Sequence, residues 1–301
     1  MNDQWRGSIL VLISAISFGF LPIFARFAYS SGVRVQDLLL IRFLLASLIM
    51  GVFLHLTRRA FIPSKNQFPV LIALGGVGYF IQSSLYFTSL LYIPVSVVSL
   101  VLYTYPAFVI ACSVALGWER ASIPVVGSLL IAIAGLTLVA NPIFNLMTIG
   151  LLMVLGAAIT YTGYILVSSR VLRKLSGEVA SFYVMGSASL SFAIAGLLTG
   201  RLYITWNLEA WFWVIMIAVI STCLAATTFF QGLRIIGPSR TSIISMIEPI
   251  TSLIASSILF KEFLTVSQWL GGWLILLAAI VAALSKPLQR RERILRASTP
   301  A

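Results

Sequence analysis

An acidic residue inside an apolar run poses the chemical question of this chain. Glu248 lies in the segment from Pro238 to Phe260, where Thr241, Ser245, Glu248, Ser252 and Ser256 recur at steps of four, three, four and four. In a continuous helix that spacing makes one polar stripe. Counted from Pro238, Glu248 is ten residues in, a depth of about 15 Å. A charge at such a depth in a bilayer costs on the order of 2.5 to 3.5 kcal/mol, so it must face a cavity, find a partner or be protonated. The residue suits a proton-coupling carboxyl or a counter-charge for a substrate amine. The competing role is a structural glutamate hydrogen-bonded to a neighbouring helix.

Arg42 stands seven residues into the apolar segment Val35 to His55, about 10 Å from its end. It could bind a substrate carboxylate or counter Glu248; equally it could snorkel to the interface or hold helix-end carbonyls. Asp37, five residues earlier, falls off the same helical face, which disfavours a pair between the two. Tyr79, Gln82, Tyr86 and Ser89 follow at steps of three, four and three, and Ser96, Ser99 and Tyr103, then Thr160 and Tyr164, continue the polar series. Tyrosines in a cavity offer a flat apolar face with a hydroxyl, suited to aromatic or amphipathic molecules and, through ring faces, to organic cations. For each residue singly, helix packing with the hydroxyl bonded to backbone is the alternative. Pro106 and Pro249 each free a carbonyl and permit a kink, making them hinge candidates. Glu119 and Glu262, beside Arg120 and Lys261, read as interfacial corners, and His55 as an interfacial residue. With no HExxH, paired-carboxylate or GxxxxGK[ST] pattern, no metal, cofactor or enzymatic chemistry is implied.

The elements that must position these residues follow from composition. The 301 residues are 60% hydrophobic and only 9% charged, too little charge to cover a soluble exterior. Apolar runs of about 20 residues recur, each long enough to cross a hydrocarbon layer of about 30 Å as a helix. Ten spanning segments are expected: Gly7 to Tyr29, Val35 to His55, Phe68 to Leu91, Pro94 to Leu116, Ser122 to Ala140, Ile149 to Val171, Val179 to Leu198, Glu209 to Gly232, Pro238 to Phe260, and Thr265 to Leu284. The first runs too long for a cleavable signal, contains Pro22 and lacks a small-x-small site.

The net charge of +12 sits at segment ends and in the tail rather than on one face, so it reads as topology and not as nucleic-acid binding. With a cytoplasmic N-terminus, Arg6, Arg58, Arg59, Lys65, Arg120, Arg170, Arg173, Lys174, Arg234, Arg240 and the tail from Lys286 to Arg296 fall inside, and only Arg34, Arg201 and Lys261 outside. Fifteen against three puts both termini in the cytoplasm. The basic tail is expected to lie at anionic lipid. Cys112 and Cys223 fall within apolar segments, where neither a disulfide nor a thiolate is favoured.

The chain also repeats itself. Glu119 follows Pro106 by thirteen positions and Glu262 follows Pro249 by thirteen, the copies being offset by 143 (249 − 106). The same offset pairs Phe87 with Phe230, Leu90 with Leu233, Ile93 with Ile236, Ser96 with Ser239, Ser99 with Ser242 and Ser113 with Ser256. Five spans per half is an odd number, so the second copy is expected to be inverted. The expected units are 1–144, an inverted 145–286, and a tail 287–301. Such repeats around a midplane cavity are a recurring transporter construction.

The ten-span layout, the Arg42-Phe43 pair, the doubled Pro-x12-Glu and Glu248-Pro249 resemble the EamA family of the drug/metabolite transporter superfamily, from about Gly7 to Leu284. The resemblance implies an all-α membrane protein of two five-helix bundles around a central cavity. It implies a secondary transporter of the inner or plasma membrane, moving an amino acid, metabolite or drug-like solute, outward by family likeness. Proton exchange through Glu248 could drive it. Uptake of a vitamin or nucleoside-like metabolite is the alternative within transport; a membrane-embedded enzyme or a scaffold is the alternative outside it. One departure is Met185 at the position matching Arg42 (42 + 143), so the halves differ chemically. Substrate, stoichiometry and oligomeric state are left open.

Overall fold

The computed structural model describes residues 3–58, 62–89, 92, 98, 101–118, 122–140, 148–172, 175–200, 202–260 and 265–284. These are helices and short connections. The helices are α1 (Asp3–Gly19), α2 (Leu21–Ser30), α3 (Val35–Leu56), α4 (Phe68–Ala73), a π-helical turn π1 (Leu74–Tyr79), α5 (Phe80–Ser89), α6 (Tyr105–Ala115), α7 (Ile123–Ala140) and α8 (Thr148–Val171). Then follow α9 (Gly177–Thr199), α10 (Leu208–Ala218), a second π-helical turn π2 (Val219–Leu224), α11 (Ala225–Ile236), α12 (Pro238–Ile244), α13 (Ile247–Phe260) and α14 (Val266–Leu284).

Seven helical stretches are long and apolar enough to cross a membrane: Asp3–Ser30, Val35–Leu56, Phe68–Ser89, Ile149–Val171, Gly177–Thr199, Leu208–Ile236 and Pro238–Leu259. Three shorter apolar helices, Tyr105–Ala115, Ile123–Leu138 and Val266–Ala282, complete the apolar set. The outward faces are themselves apolar, with Leu56, Ile123, Leu130, Leu197, Ile258 and Trp273 all exposed, while Asp37, Arg42 and many serines are buried. That arrangement suits a hydrocarbon surround, in which polar groups gain by turning inward.

The principal packings join one half of the chain to the other. α3 lies against α9, α7 against α14, α6 against α12, α1 against α11, and α5 against α8. Exchange of the halves maps this set onto itself.

Several expected spans are interrupted. The first breaks at Phe20, just before Pro22. The expected helix Pro94 to Leu116 turns at Tyr103 and Thr104 before restarting at Tyr105, and Pro238 to Phe260 turns at Ser245 and Met246 before restarting at Ile247. The physical reason is shared, since proline has no N–H to donate to the carbonyl four residues back, which is that of Leu102 for Pro106 and of Ser245 for Pro249. In each case the proline opens the restarted helix, where the N–H groups lack intrahelical partners anyway. The polar stripe expected from Thr241 to Ser256 is therefore not one continuous helical face. The π turns fall at 74–79 and 219–224, an offset of 145, within two residues of the sequence repeat.

Ordinary caps fix other ends. Ser176 Oγ accepts from Val179 N at 3.4 Å, and Asn207 Oδ1 accepts from Ala210 N at 2.8 Å.

Candidate functional site

The helix breaks converge on Glu248. Ser252 Oγ, one turn along α13, donates to the Gly19 carbonyl at 2.7 Å, tying α13 to the break in the first span. The approach is close enough to require glycine there: a Cβ on Gly19 would stand 2.5 Å from Thr251 Cβ and 2.9 Å from the Glu248 carbonyl oxygen. From the other half, the Tyr103 hydroxyl donates to the Glu248 carboxylate. Tyr105, beside it, hydrogen-bonds across to Ser242 O at 3.4 Å and accepts from the Ser245 hydroxyl.

Around this acid runs a wall of tyrosine rings. Tyr103 and Tyr105 have centroids 6.0 Å apart, Tyr105 meets Tyr161 edge-on at 4.8 Å, and Tyr161 stacks on Tyr164 at 5.9 Å. Tyr164 stacks on Tyr79 at 5.3 Å, and Tyr79 tilts against Phe43 at 5.2 Å. Such offset and edge contacts are the favoured geometries of aromatic pairs. Tyr79, Tyr86, Tyr103, Tyr105 and Tyr161 all lie within the field of the Glu248 carboxylate. Glu248 and Pro249 keep accessible surface although Ser245, Met246, Ile247 and Ile250 around them are buried.

Arg42 occupies the far end of the wall. It is 2% exposed, its guanidinium lies over the Phe43 ring at 4.2 Å, and it is hydrogen-bonded to the Tyr79 oxygen. Its Nε and Nη1 find no hydrogen-bond partner among the described residues. Of the alternatives open to it, snorkelling to an interface is not what its burial shows; α9 packs across the helix that carries it. Asp37 is engaged elsewhere, its Oδ1 accepting from Tyr203 N at 3.2 Å.

The sequence-predicted residues thus divide. Glu248, Arg42, Tyr79, Tyr86, Tyr103, Tyr164 and Ser245 share the site. Gln82 is buried on α5, its amide oxygen accepting from Ser83 Oγ at 3.3 Å. Thr160 spends its hydroxyl on its own helix, donating to Gly156 O at 2.7 Å, and Ser252 on Gly19. Ser96, Ser99, Glu119 and Glu262 lie outside the described residues, as does the side chain of Ser256. Pro106 and Pro249 open the restarted helices at the two breaks.

Three residues were missed: Tyr29, Tyr105 and Tyr161. Tyr29 lies in the field of Arg42 and of Tyr86, and Tyr161 joins Tyr105 to Tyr164. For Tyr105 the signal was present in the repeat, since 248 − 143 is 105 and the tyrosine holds the place of the acid in the first half. For Tyr29 and Tyr161 neither spacing nor composition marked them.

Fold and site define a multi-span helical membrane protein with a polar, aromatic interior built at interrupted helices. The chain belongs to the EamA-like transporter family, whose model matches residues 5–141 and again 148–284. It is 26% identical over 284 residues to the uncharacterized transporter YcbK of Bacillus subtilis, covering 90% of each chain. An uncharacterized transporter of Archaeoglobus fulgidus is 28% identical over 188 residues, 62% of this chain and 67% of that one. A solved crystal structure superposes with a TM-score of 0.80 at 21% identity, over 92% of this chain and 98% of the other, which is a likeness of fold.

Proposed function

We propose that this protein is a secondary transporter that moves a small organic solute across the cell (inner) membrane by alternating access. In this reading ten spans form two inverted five-span repeats around a central hollow, with both termini cytoplasmic. The observation that supports it most is that Glu248 stays partly exposed while Ser245, Met246, Ile247 and Ile250 around it are buried, as a residue lining a hollow would. Broken helices meeting at one site give further support, because irregular backbone at membrane depth is tolerated where it lines a cavity or is buried in protein. The three shorter apolar helices complete a set of ten, and the exchange-symmetric packing of the halves fits a two-fold relation.

Glu248, Arg42, Tyr79, Tyr86, Tyr103, Tyr164 and Ser245 contact or couple to the solute in this reading, with Gln82 and Ser99 as neighbours on the same spans. Ser252 holds α13 to the first span, and Thr160 stands on the wall helix with its hydroxyl turned to its own backbone. Pro106 and Pro249 flank the breaks about which the halves rock. Export is the direction we assign, driven by the solute gradient or by proton exchange at Glu248. Flux of radiolabelled organic solutes into proteoliposomes, with and without a pH gradient, tests this. Movement of an unmodified solute supports it; a chemically altered product, or no flux across a broad panel, overturns it.

A further inference from the structure

We infer that the solute is an organic cation whose ammonium group docks on Glu248 in a cage of tyrosine rings. This rests on reading the site as a solute hollow. Among the described residues, which also bury Asp37, Glu178 and Arg240, one acid and one base stand at opposite ends of the ring wall, and accessibility separates them. Glu248 is partly accessible, whereas Arg42 is 2% exposed, with its Nε and Nη1 buried. Phe43 covers one face of that guanidinium and Tyr79 takes one of its donors. The charge that an entering molecule meets is therefore negative.

The surroundings of Glu248 select the same sign. Its carboxylate accepts one hydrogen bond, from Tyr103, which leaves most of its lone-pair sites unused. Tyr86 and Tyr161 are partly accessible, and Tyr161 sits edge-on to Tyr105. Ring faces carry negative charge density and attract ammonium groups. A carboxylate solute would meet the Glu248 charge and those ring faces, and could reach Arg42 only by displacing Phe43 and Tyr79. A neutral aromatic would leave the carboxylate unpaired.

The test is calorimetric titration of the purified full chain with benzyltrimethylammonium, benzoate and benzyl alcohol, which share a ring and differ in charge. Binding of the ammonium at least tenfold tighter than either other probe is expected. Glu248→Gln should weaken it tenfold or more with no fall in melting temperature. Should that variant not fold, Tyr161→Leu against Tyr161→Phe decides, because only the first removes the ring: at least a threefold loss is expected for Leu and little for Phe. Benzoate binding as tightly, no binding of any probe, unchanged ammonium binding by Glu248→Gln, or equal binding by the two Tyr161 variants overturns the proposal. Ammonium binding without flux would sink alternating access and leave this assignment standing; flux of anions insensitive to Glu248→Gln would do the reverse.

Discussion

The Tyr103 hydroxyl donates to the Glu248 carboxylate across two helix breaks, one in each half of the chain. Tyr103 sits in the turn before Tyr105-Pro106, and Glu248 follows the matching turn before Pro249. The one acid at the site is thus held by the opposite half at the point where both helices restart. Any rearrangement that moves one half against the other must alter this contact.

Glu248→Gln should abolish most solute flux, at least a tenfold loss, while the protein still folds, because the amide keeps the shape and an acceptor for Tyr103. In the native protein, flux of an ammonium solute should fall as pH is lowered on the binding side. Proton and solute compete there for one carboxylate, and the groups nearest it, Tyr79, Tyr86, Tyr103, Tyr105 and Tyr161, are phenols that stay neutral between about pH 5 and 8. The variant should show no such fall, and proteoliposome flux over that range measures both.

Arg42→Met places at position 42 the residue that the second half carries at Met185. Arg42 has no ionic partner among the described residues, and an unpaired buried charge is costly, so an apolar side chain of similar volume should relieve that cost. Against this stands the Tyr79 hydroxyl left without its donor, about 1 kcal/mol. A detergent-phase melting temperature no lower than the native value is expected. A drop of several degrees would mean that the guanidinium has an ionic partner.

Gly19→Val should disturb the seam between the first span and α13, since its side chain enters space held by Thr251 and the Glu248 backbone. Overpacking of this kind costs about 1–3 kcal/mol. Ser252→Ala removes the hydroxyl's bonds to Gly19 O at 2.7 Å and to Glu248 O at 3.2 Å, each worth about 0.6 kcal/mol in membrane proteins. Thermal unfolding should rank native, Ser252→Ala and Gly19→Val in that order.

Pro106→Ala and Pro249→Ala should leave the melting temperature within a few degrees of native, because both prolines stand in the first turn of their helices, where no intrahelical donor is needed. Each alanine restores an N–H able to bond across the break, so slower flux with unchanged solute affinity is the expected result. Unchanged flux in both variants would remove the hinge role.

How far the site could be read beforehand differs by residue. Glu248 and Arg42 stood out because a charge in an apolar run is costly wherever it points. Tyr105 could have been found from its repeat position. Thr160 and Ser252 were grouped with the solute site on spacing alone, and the structure shows their hydroxyls spent on backbone carbonyls. Spacing fixes the face of an ideal helix, and here the helix carrying Glu248 is interrupted three residues before it.

By itself the sequence determined that the chain is helical and membrane-embedded, that it consists of two related halves, and that an acid lies inside. Hydropathy, charge placement and repeat offset are properties of the chain read along its length, so no packing is needed to see them. Tertiary structure alone decided that Tyr105 and Tyr161 join the ring wall, that Arg42 is enclosed while Glu248 keeps accessible surface, and which hydroxyls serve the backbone. Those outcomes depend on how each helix is rotated, which is set by neighbouring helices that lie a hundred or more residues away in the chain.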